Sequence, residues 1–585
     1  MHDANHETSG LLPPAKVAVW VDRPQIASWQ AAVVRRLLET PAADLEFLVV
    51  AHPDDRPANG HVPYQAHALW AHHHRPSSRW LELIHERMVE GEPLLPDPFD
   101  PVDVRSLLPD VATLELRSQR TPAPEGGYRI GVSATDSQQL LRHPCDVLIW
   151  FGTDPADAQL AAWPRHGVWS LLSGPDRPLV NEAVGYWESM ENAPATVLML
   201  SATSVDFPRG LVLNMASSST NVWSVRDNRA AILWRAAEQV ARQLELLQRL
   251  SPPIFFARAQ RQREPYVNRR VLPASSPTAG QYAQHLATKF SAKIGHKLSE
   301  MTTFNQWGLF FHLSDQLTTD FSRYQQLFPP RDRIWADPQV IERDGKYYIF
   351  VEELLYGSNR GHIAMLTIDQ HGRSSAATPV LTSDCHLSYP FVFEADGEVY
   401  MVPETSDRRT VELYRCMRFP DQWELEMRLM ENILAVDTTL CHRDGRWWLF
   451  ANMVQSPGTC SWDELFLFWA DDFRTQDWHP HPLNPIITDV SCARPAGRLF
   501  ELNGELYRPS QNCSGWYGRG FNLARVDALT RTDYREQIVQ RVLPDWRSDL
   551  RGVHTFTRSG RLTVVDAQLS RWGRPTRAHQ RLSTG

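Results

Sequence analysis

Two kinds of apolar spacing divide this chain. Early on, short unbroken apolar runs alternate with helical periodicity: KVAVWV (16–21) reads as a buried strand, Ile26, Trp29, Val33, Leu37 and Leu38 mark one face of a helix over 25–40, and LEFLVV (45–50) reads as a second strand. Strand, helix and strand at this spacing predict a parallel βαβ unit. Further strands are predicted at 128–132 and 147–152, so an α/β domain is expected over 14–250. From residue 305 onward the pattern changes to short apolar or aromatic strands, each introduced by a turn ending in Gly. These are Asp344-Gly345 before KYYIFVEE, Asp396-Gly397 before EVYMVPET, Asp444-Gly445 before RWWLFANM, Asn503-Gly504 before ELYRPSQN and Ser559-Gly560 before RLTVVDAQ. Each is a hairpin signal, because Gly tolerates the positive φ of a tight two-residue turn. The phrase recurs every 48 to 59 residues, the period of a four-stranded sheet repeated as a propeller blade. Five occurrences predict a five-bladed β-propeller over 305–585, its first strand near Trp307–Phe311 pairing with the last blade to close the ring.

Composition narrows the class. A chain of 585 residues exceeds what one hydrophobic core serves. Its net charge of −8 argues against a dedicated nucleic-acid binder. The start, MHDANHETSGLLPPAK, lacks a basic segment leading into an apolar run, and no stretch approaches the ~18 apolar residues of a membrane span, so a cytoplasmic protein is expected. Seven Cys without CxxC spacing read as reduced thiols. His72-His73-His74 are consecutive on a predicted loop and do not converge on an ion, so no metal and no cofactor are expected. Residues 251–304 combine five Pro with clustered Arg and then a helical pattern from Ala279 to Met301, which reads as a linker with one helix packed on a neighbour.

In a propeller the innermost strand of each blade lines the central channel. The residues opening those strands are Trp335-Ala336-Asp337-Pro338, His386-Leu387-Ser388-Tyr389-Pro390, Val436-Asp437-Thr438-Thr439, Ala493-Arg494-Pro495 and Gly552-Val553-His554-Thr555; the strands after the turns add Glu352, Glu353, Glu404, Arg508 and Gln511. Carboxylates, His and Arg among aromatics suit a carbohydrate, and two carboxylates flanking a glycosidic bond supply acid and base or acid and nucleophile. Asp337 before Pro338 also reads simply as a turn at a strand entry.

Three resemblances sharpen this. Gly167-Val168-Trp169-Ser170-Leu171-Leu172-Ser173-Gly174-Pro175, Gly185-Tyr186-Trp187-Glu188 and Val205-Asp206 with Gly210 resemble the formyltransferase amino-terminal domain. The resemblance implies a Rossmann-like parallel sheet and an Asn, His and Asp site. His166 stands where the Asn belongs and Val168 where the His belongs, leaving Asp206, so the site is read as degenerate. Trp335-Ala336-Asp337-Pro338 resembles the first-blade motif of five-bladed arabinanases and xylosidases, which implies Asp337 as base. HLSYPFVFEADGEVYMVPET, with VDTTL, HPLNPI, RPAGRLF, YRPSQNC and GVHTF, resembles the propeller domain of the plant glucosamine inositolphosphorylceramide transferases over roughly 305–570.

The fold class expected is therefore α/β plus all-β, a formyltransferase-type domain followed by the propeller. The expected function is binding of a glycan, sugar nucleotide or lipid-linked sugar, with glycosyl transfer or hydrolysis, in polysaccharide or glycolipid biosynthesis. Asp337, Glu404 and Asp437 are the catalytic candidates; Glu353, His386, Tyr389, Arg494, Arg508, Gln511 and His554 are the substrate-binding ones. The alternatives are a formyltransferase acting on an amino sugar and a non-catalytic glycan-binding scaffold.

Overall fold

The computed structural model describes residues 11–53, 92–124, 127–174, 179, 184–261, 277–358 and 360–576. The triple histidine at 72–74 lies outside them. The chain divides into two compact units, residues 1–290 with 456–458, and 291–455 with 459–585.

The first unit is built on an eight-stranded sheet. Its centre follows the apolar runs: Ala15–Val21 pairs in parallel with Ala43–Pro53 on one side and Val147–Trp150 on the other. Alternation along the first strand feeds two cores, Val17, Val19 and Val21 into one and Ala18 and Trp20 into the other. Helices Ser28–Glu39 and Val225–Leu250 supply the first core, and Ala134–Leu140 with Ala158–Ala161 the second. The expectation of a parallel sheet needs correction, because the sheet is mixed. Tyr128–Val132 runs antiparallel to Ala112–Pro122, and Val168–Leu172, Ala195–Thr203 and Leu211–Ser219 pair antiparallel in succession. Short hairpin connections such as that between Thr203 and Leu211 leave no room for the crossover that parallel pairing requires. The segment read as linker starts with a helix, Pro252–Arg261, whose Phe255 and Ala259 belong to the first core.

The second unit is a ring of five sheets. Four of them take four consecutive strands each, beginning with Arg333–Arg343, Ser388–Ala395, Ala435–Arg443 and Phe500–Leu502. The fifth is shared between the two ends of the unit, Thr303–Leu313 lying antiparallel to Leu562–Trp572, which closes the ring and leaves only short blade edges. Four turns are as the Gly phrase predicts, with positive φ at both Asp344 and Gly345, Asp396 and Gly397, Asp444 and Gly445, and Asn503 and Gly504. The fifth is displaced by one residue. Ser559 pairs with Leu562, so Gly560 and Arg561 form the turn.

Burial shows why five sheets make one body. Five apolar clusters each join one blade to the next: Ile341 and Phe350 meet Val392 and Met401; Phe391 and Val402 meet Leu440 and Leu449; Phe450 and Leu467 meet Leu499 and Leu506; Phe521 and Leu523 meet Phe310 and Val565; Leu562 and Val564 meet Val340 and Ile349. No blade buries its faces alone. At roughly 1.5–3 kcal/mol per fully buried large side chain, closure of the ring is what stabilises each blade.

Candidate functional site at the propeller axis

The first strands of blades one to three carry the same irregularity. Register slips between Ala336 and Gln339, between Ser388 and Phe391, and between Val436 and Thr439, and the residue inside each bulge has positive φ: Asp337 at 53°, Tyr389 at 40° and Asp437 at 51°. A bulge re-aims the side chain it contains. On the second strands, the residue paired with the position just before each bulge is polar, Glu352, Glu404 and Asn452 in blades one to three, and Gln511 stands at the corresponding place after the turn in blade four.

Side chains from non-adjacent blades meet here, which is possible only at the axis. Arg494 of blade four clamps Asp437 of blade three, Nη2 to Oδ1 at 3.0 Å with Nε on Oδ2, and its Nη2 lies 3.7 Å from Glu404 Oε2 of blade two. Gln511 Nε2 donates to the same Asp437 at 2.7 Å and to the Pro495 carbonyl at 2.8 Å. Tyr389 Oη is 2.8 Å from Thr439 Oγ1. Burial raises the Tyr389 phenol's pKa, and Asp437 raises it further. This half of the site holds one guanidinium against two carboxyl groups.

The other half is centred on His554. Its Nε2 is 3.1 Å from Asp337 Oδ1 and its Nδ1 2.9 Å from the Asp566 carboxylate. Asp566 also accepts the backbone N–H groups of Asp337, His554 and Thr555. Burial works against a charged imidazole, but Asp566 and Asp337 outweigh it and raise His554 to about 10. These three residues have donor types that also occur in metal sites, and they lie within reach of one ion. His554 Nδ1 is hydrogen-bonded to Asp566, whereas Asp337 Oδ1, facing Nε2, makes no hydrogen bond among the described residues. Tyr517 joins the halves: the Arg494 guanidinium sits 5.1 Å from its ring and the His554 ring packs edge-on at 5.1 Å.

The two carboxyl groups best placed for chemistry are pushed to different degrees. Asp337 rises to about 6 through burial, with His554 pulling it down and Asp437 and Glu352 pushing it up. Glu404 rises to about 8 through burial and then the neighbouring Asp437, against Arg494 and the Ser406 hydroxyl, which donates to Oε1 at 2.7 Å. Glu404 Oε2 has no hydrogen-bond partner among the described residues. Burial and neighbouring carboxylates push Glu404 further toward its protonated form than Asp337, which His554 pulls back, and a separation in that direction is what an acid and base pair needs. The cluster is open on one side. Side-chain exposure falls from 30% at His386 through 11% at Glu404 to 1% at Asp437.

Of the residues singled out in the sequence, Asp337, His386, Tyr389, Glu404, Asp437, Arg494, Gln511 and His554 belong to this assembly. His386 enters through Glu352, its Nε2 3.3 Å from Oε1, and that contact raises its pKa. Glu353 and Arg508 do not belong. Strand alternation turns Glu353 away into a cluster with Arg333, Trp335 and His362, which holds its pKa below the usual range despite burial. Arg508 spends its donors on Glu536 and on the Ala493 and Cys492 carbonyls. Two participants were missed, Asp566 and Tyr517; Glu352, named among the residues following the turns but not among the site candidates, is the partner of His386. Asp566 had a signal, since it occupies the strand position where the other blades carry Phe350, Val402, Phe450 and Pro509. Tyr517, on a loop, had none.

In the first unit, Val168 is buried at the start of its strand, His166 is half-buried with a pKa lowered by that burial, and Asp206 is exposed in the hairpin after Thr203.

Residues 320–572 match one family model. It describes the amino-terminal part of glucosamine inositolphosphorylceramide transferase 1. The match includes strands of every blade and begins after Thr303–Leu313 of the closing one. Glucosamine inositolphosphorylceramide transferase 1 of Oryza sativa subsp. japonica is 37% identical over 204 residues, 34% of this chain and 27% of that protein. The Arabidopsis thaliana protein of the same name is 33% identical over 204 residues, 34% of this chain and 26% of that one. The chain thus spans about a quarter of the length of the curated relatives it matches. Among solved structures, Zg3597, a family 117 glycoside hydrolase of Zobellia galactanivorans, aligns with TM-score 0.30 at 12% identity over 46% of this chain and 90% of its own. The catalytic domain of a GH62 α-L-arabinofuranosidase of Coprinopsis cinerea aligns with TM-score 0.32 at 11% identity over 46% and 98%.

Proposed function

We propose that the propeller is a carbohydrate-active module which binds the sugar headgroup of a glycolipid or glycan and acts on its glycosyl bond. The observation that carries this reading is the meeting of Asp337, Glu404, Asp437, Arg494, Gln511 and His554 from all five blades in one polar cluster at the axis. Glu404 is the proton donor in this scheme, because burial and Asp437 favour its protonated form. Asp337 is the base or nucleophile, its ionised form favoured by His554 against the burial that raises its pKa. Arg494 holds Asp437 in place, and Tyr517 and His386 flank the open side. The name of the matched family supports a glucosamine-bearing or inositol-phosphate-bearing substrate.

The test uses purified full-length protein. Glucosamine, inositol phosphate and aryl glycosides are titrated by calorimetry, and turnover of aryl glycosides and of nucleotide-linked glucosamine is followed with wild type, Glu404→Gln and Asp337→Asn. Turnover reduced on the order of 100-fold or more by each substitution, with binding retained, is the expected result. Turnover untouched by both substitutions would refute the assignment. A second reading, a glycan-binding scaffold, is favoured by one observation: Asp437 is held by three donors from Arg494 and Gln511, leaving it little freedom to enter a reaction. Binding without turnover on any donor would select it.

A further inference from the structure

Helix Ala279–Thr302 changes character along its length. Tyr282, His285 and Lys289 are buried, yet every residue from Phe290 to Thr302 is exposed. The exposed turns are not polar. Phe290, Ile294, Leu298 and Met301 stand 42%, 48%, 59% and 63% exposed, and their spacing puts them on one face of the helix. Lys293 and Lys297 border that row, and Glu300 is the one carboxylate between Phe290 and Thr302. The helix runs directly into strand Thr303–Leu313, whose first residue pairs with Trp572, and Trp572 is 78% exposed. Arg331 donates to the Trp572 carbonyl, and Arg574 is exposed close by. A continuous apolar row ending near an exposed indole is thus set among cations, in a chain whose net charge is −8.

We propose that this face lies in the surface plane of a lipid bilayer carrying anionic phosphate headgroups. The apolar row and the indole would enter the boundary between headgroups and acyl chains, with Lys297, Arg331 and Arg574 on the phosphates. The helix is too polar to span the bilayer, since no described helix is long and apolar enough to cross one. The cations bordering this face are complemented by an anionic surface, and a second copy of the chain is the competing occupant that the test separates. An exposed Trp beside an amphipathic helix is also the composition that partitions to the membrane interface.

The test is co-sedimentation of the full chain with vesicles of phosphatidylcholine alone and of phosphatidylcholine mixed with phosphatidylglycerol, with light scattering to report the oligomeric state. Binding to the mixed vesicles is expected, weakening as salt rises, and falling about tenfold or more in Leu298→Glu/Met301→Glu and measurably in Trp572→Ala. All three side chains are exposed, so circular dichroism and Tm should match wild type and the loss is read as lost docking. Equal sedimentation with both vesicle types, or binding unchanged in the double variant, would overturn the proposal. So would a dimer dissociated by Leu298→Glu/Met301→Glu, which would assign the face to a second copy.

Discussion

Replacing Arg494 with Met tests whether the axial cluster is dry. Arg494 and Asp437 are both buried, with side chains 10% and 1% exposed, joined by two parallel hydrogen bonds. Met fills most of the stem volume but removes the guanidinium from the Asp437 carboxylate, leaving the Gln511 amide and the neighbouring Glu404 carboxyl group beside it. Stranding a buried charge in this way costs about 3–5 kcal/mol, which for a domain of this size lowers Tm by on the order of 10 °C. Asp437→Asn is the matching change, because Asn tolerates the left-handed backbone found at that residue and still accepts from Gln511. Alone it also costs stability, since it removes the anion facing Arg494. Combined with Arg494→Met it removes the charge that the first substitution strands, so the double variant should be more stable than Arg494→Met. The assay is urea unfolding of all four proteins with the coupling taken from the cycle. A coupling of about 2 kcal/mol or more is expected. If Arg494→Met costs less than about 1 kcal/mol, or the two changes simply add, Asp437 is solvated and the dry-cluster argument fails.

Other expectations follow from the same geometry. His554 is raised to about 10 in the folded protein, so its contribution is complete below its ordinary value near 6.5 and is lost as pH rises toward 10. Glu404, raised to about 8, likewise binds its proton more tightly when folded, so stability falls between about pH 4.5 and 8. Thermal melts from pH 4 to 10 should show both limbs, with Glu404→Gln flattening the lower and His554→Gln the upper; a flat profile in wild type would contradict both assignments. Gly497→Ala should destabilise by several kcal/mol, roughly as other severe core clashes do, because φ is +139° and the new Cβ would lie 2.1 Å from the Phe556 carbonyl oxygen; a Tm within 2 °C of wild type, roughly the shift from 1 kcal/mol, would show that blades four and five separate freely.

The propeller was legible because its signal is local and repeated. A turn demanding positive φ, an apolar strand and a fixed period each depend on neighbouring residues, and five copies leave little ambiguity about blade count. The displaced fifth turn shows the limit of that signal, since Ser559-Gly560 and Gly560-Arg561 differ only in pairing register. The site was half legible. Asp337, Asp437 and Arg494 stand at strand openings where polar residues interrupt an apolar pattern. Which of Glu352 and Glu353 faces the axis depends on strand phase, and the bulge at Asp337 shifts the phase of the strand it pairs with. Tyr517 reaches the cluster from a loop and Arg508 is recruited by Glu536 on a neighbouring strand, and tertiary contact decides both. In the first unit the apolar runs marked the central strands, but pairing direction is a property of the connections; two hairpins of the antiparallel flank do end in a positive-φ Gly, Gly127 before Tyr128 and Gly210 before Leu211, but without the regular period that made the phrase legible in the propeller.

The three bulges bear on function as well as fold. Positive φ at a residue other than Gly costs of order 1–3 kcal/mol in unfavourable cases, least for Asp and more for a bulky side chain such as Tyr. The same distortion at equivalent positions in blades one, two and three means the closed ring compensates it three times. An inner strand without the bulge would run its alternation straight, sending residue 337 or 437 to one side of the sheet with its apolar neighbours. The bulge instead brings Asp337 to His554, Tyr389 to Thr439 and Asp437 to Arg494. A scaffold selected for stability alone would fill those places with apolar residues in ordinary β conformation, as a buried ion pair seldom improves on a well-packed hydrophobic one. Strained, charged residues at the point where five blades meet support the proposed site, and binding measured with and without Asp437 tests that proposal directly: Asp437→Asn should weaken glycan binding more than it weakens the fold.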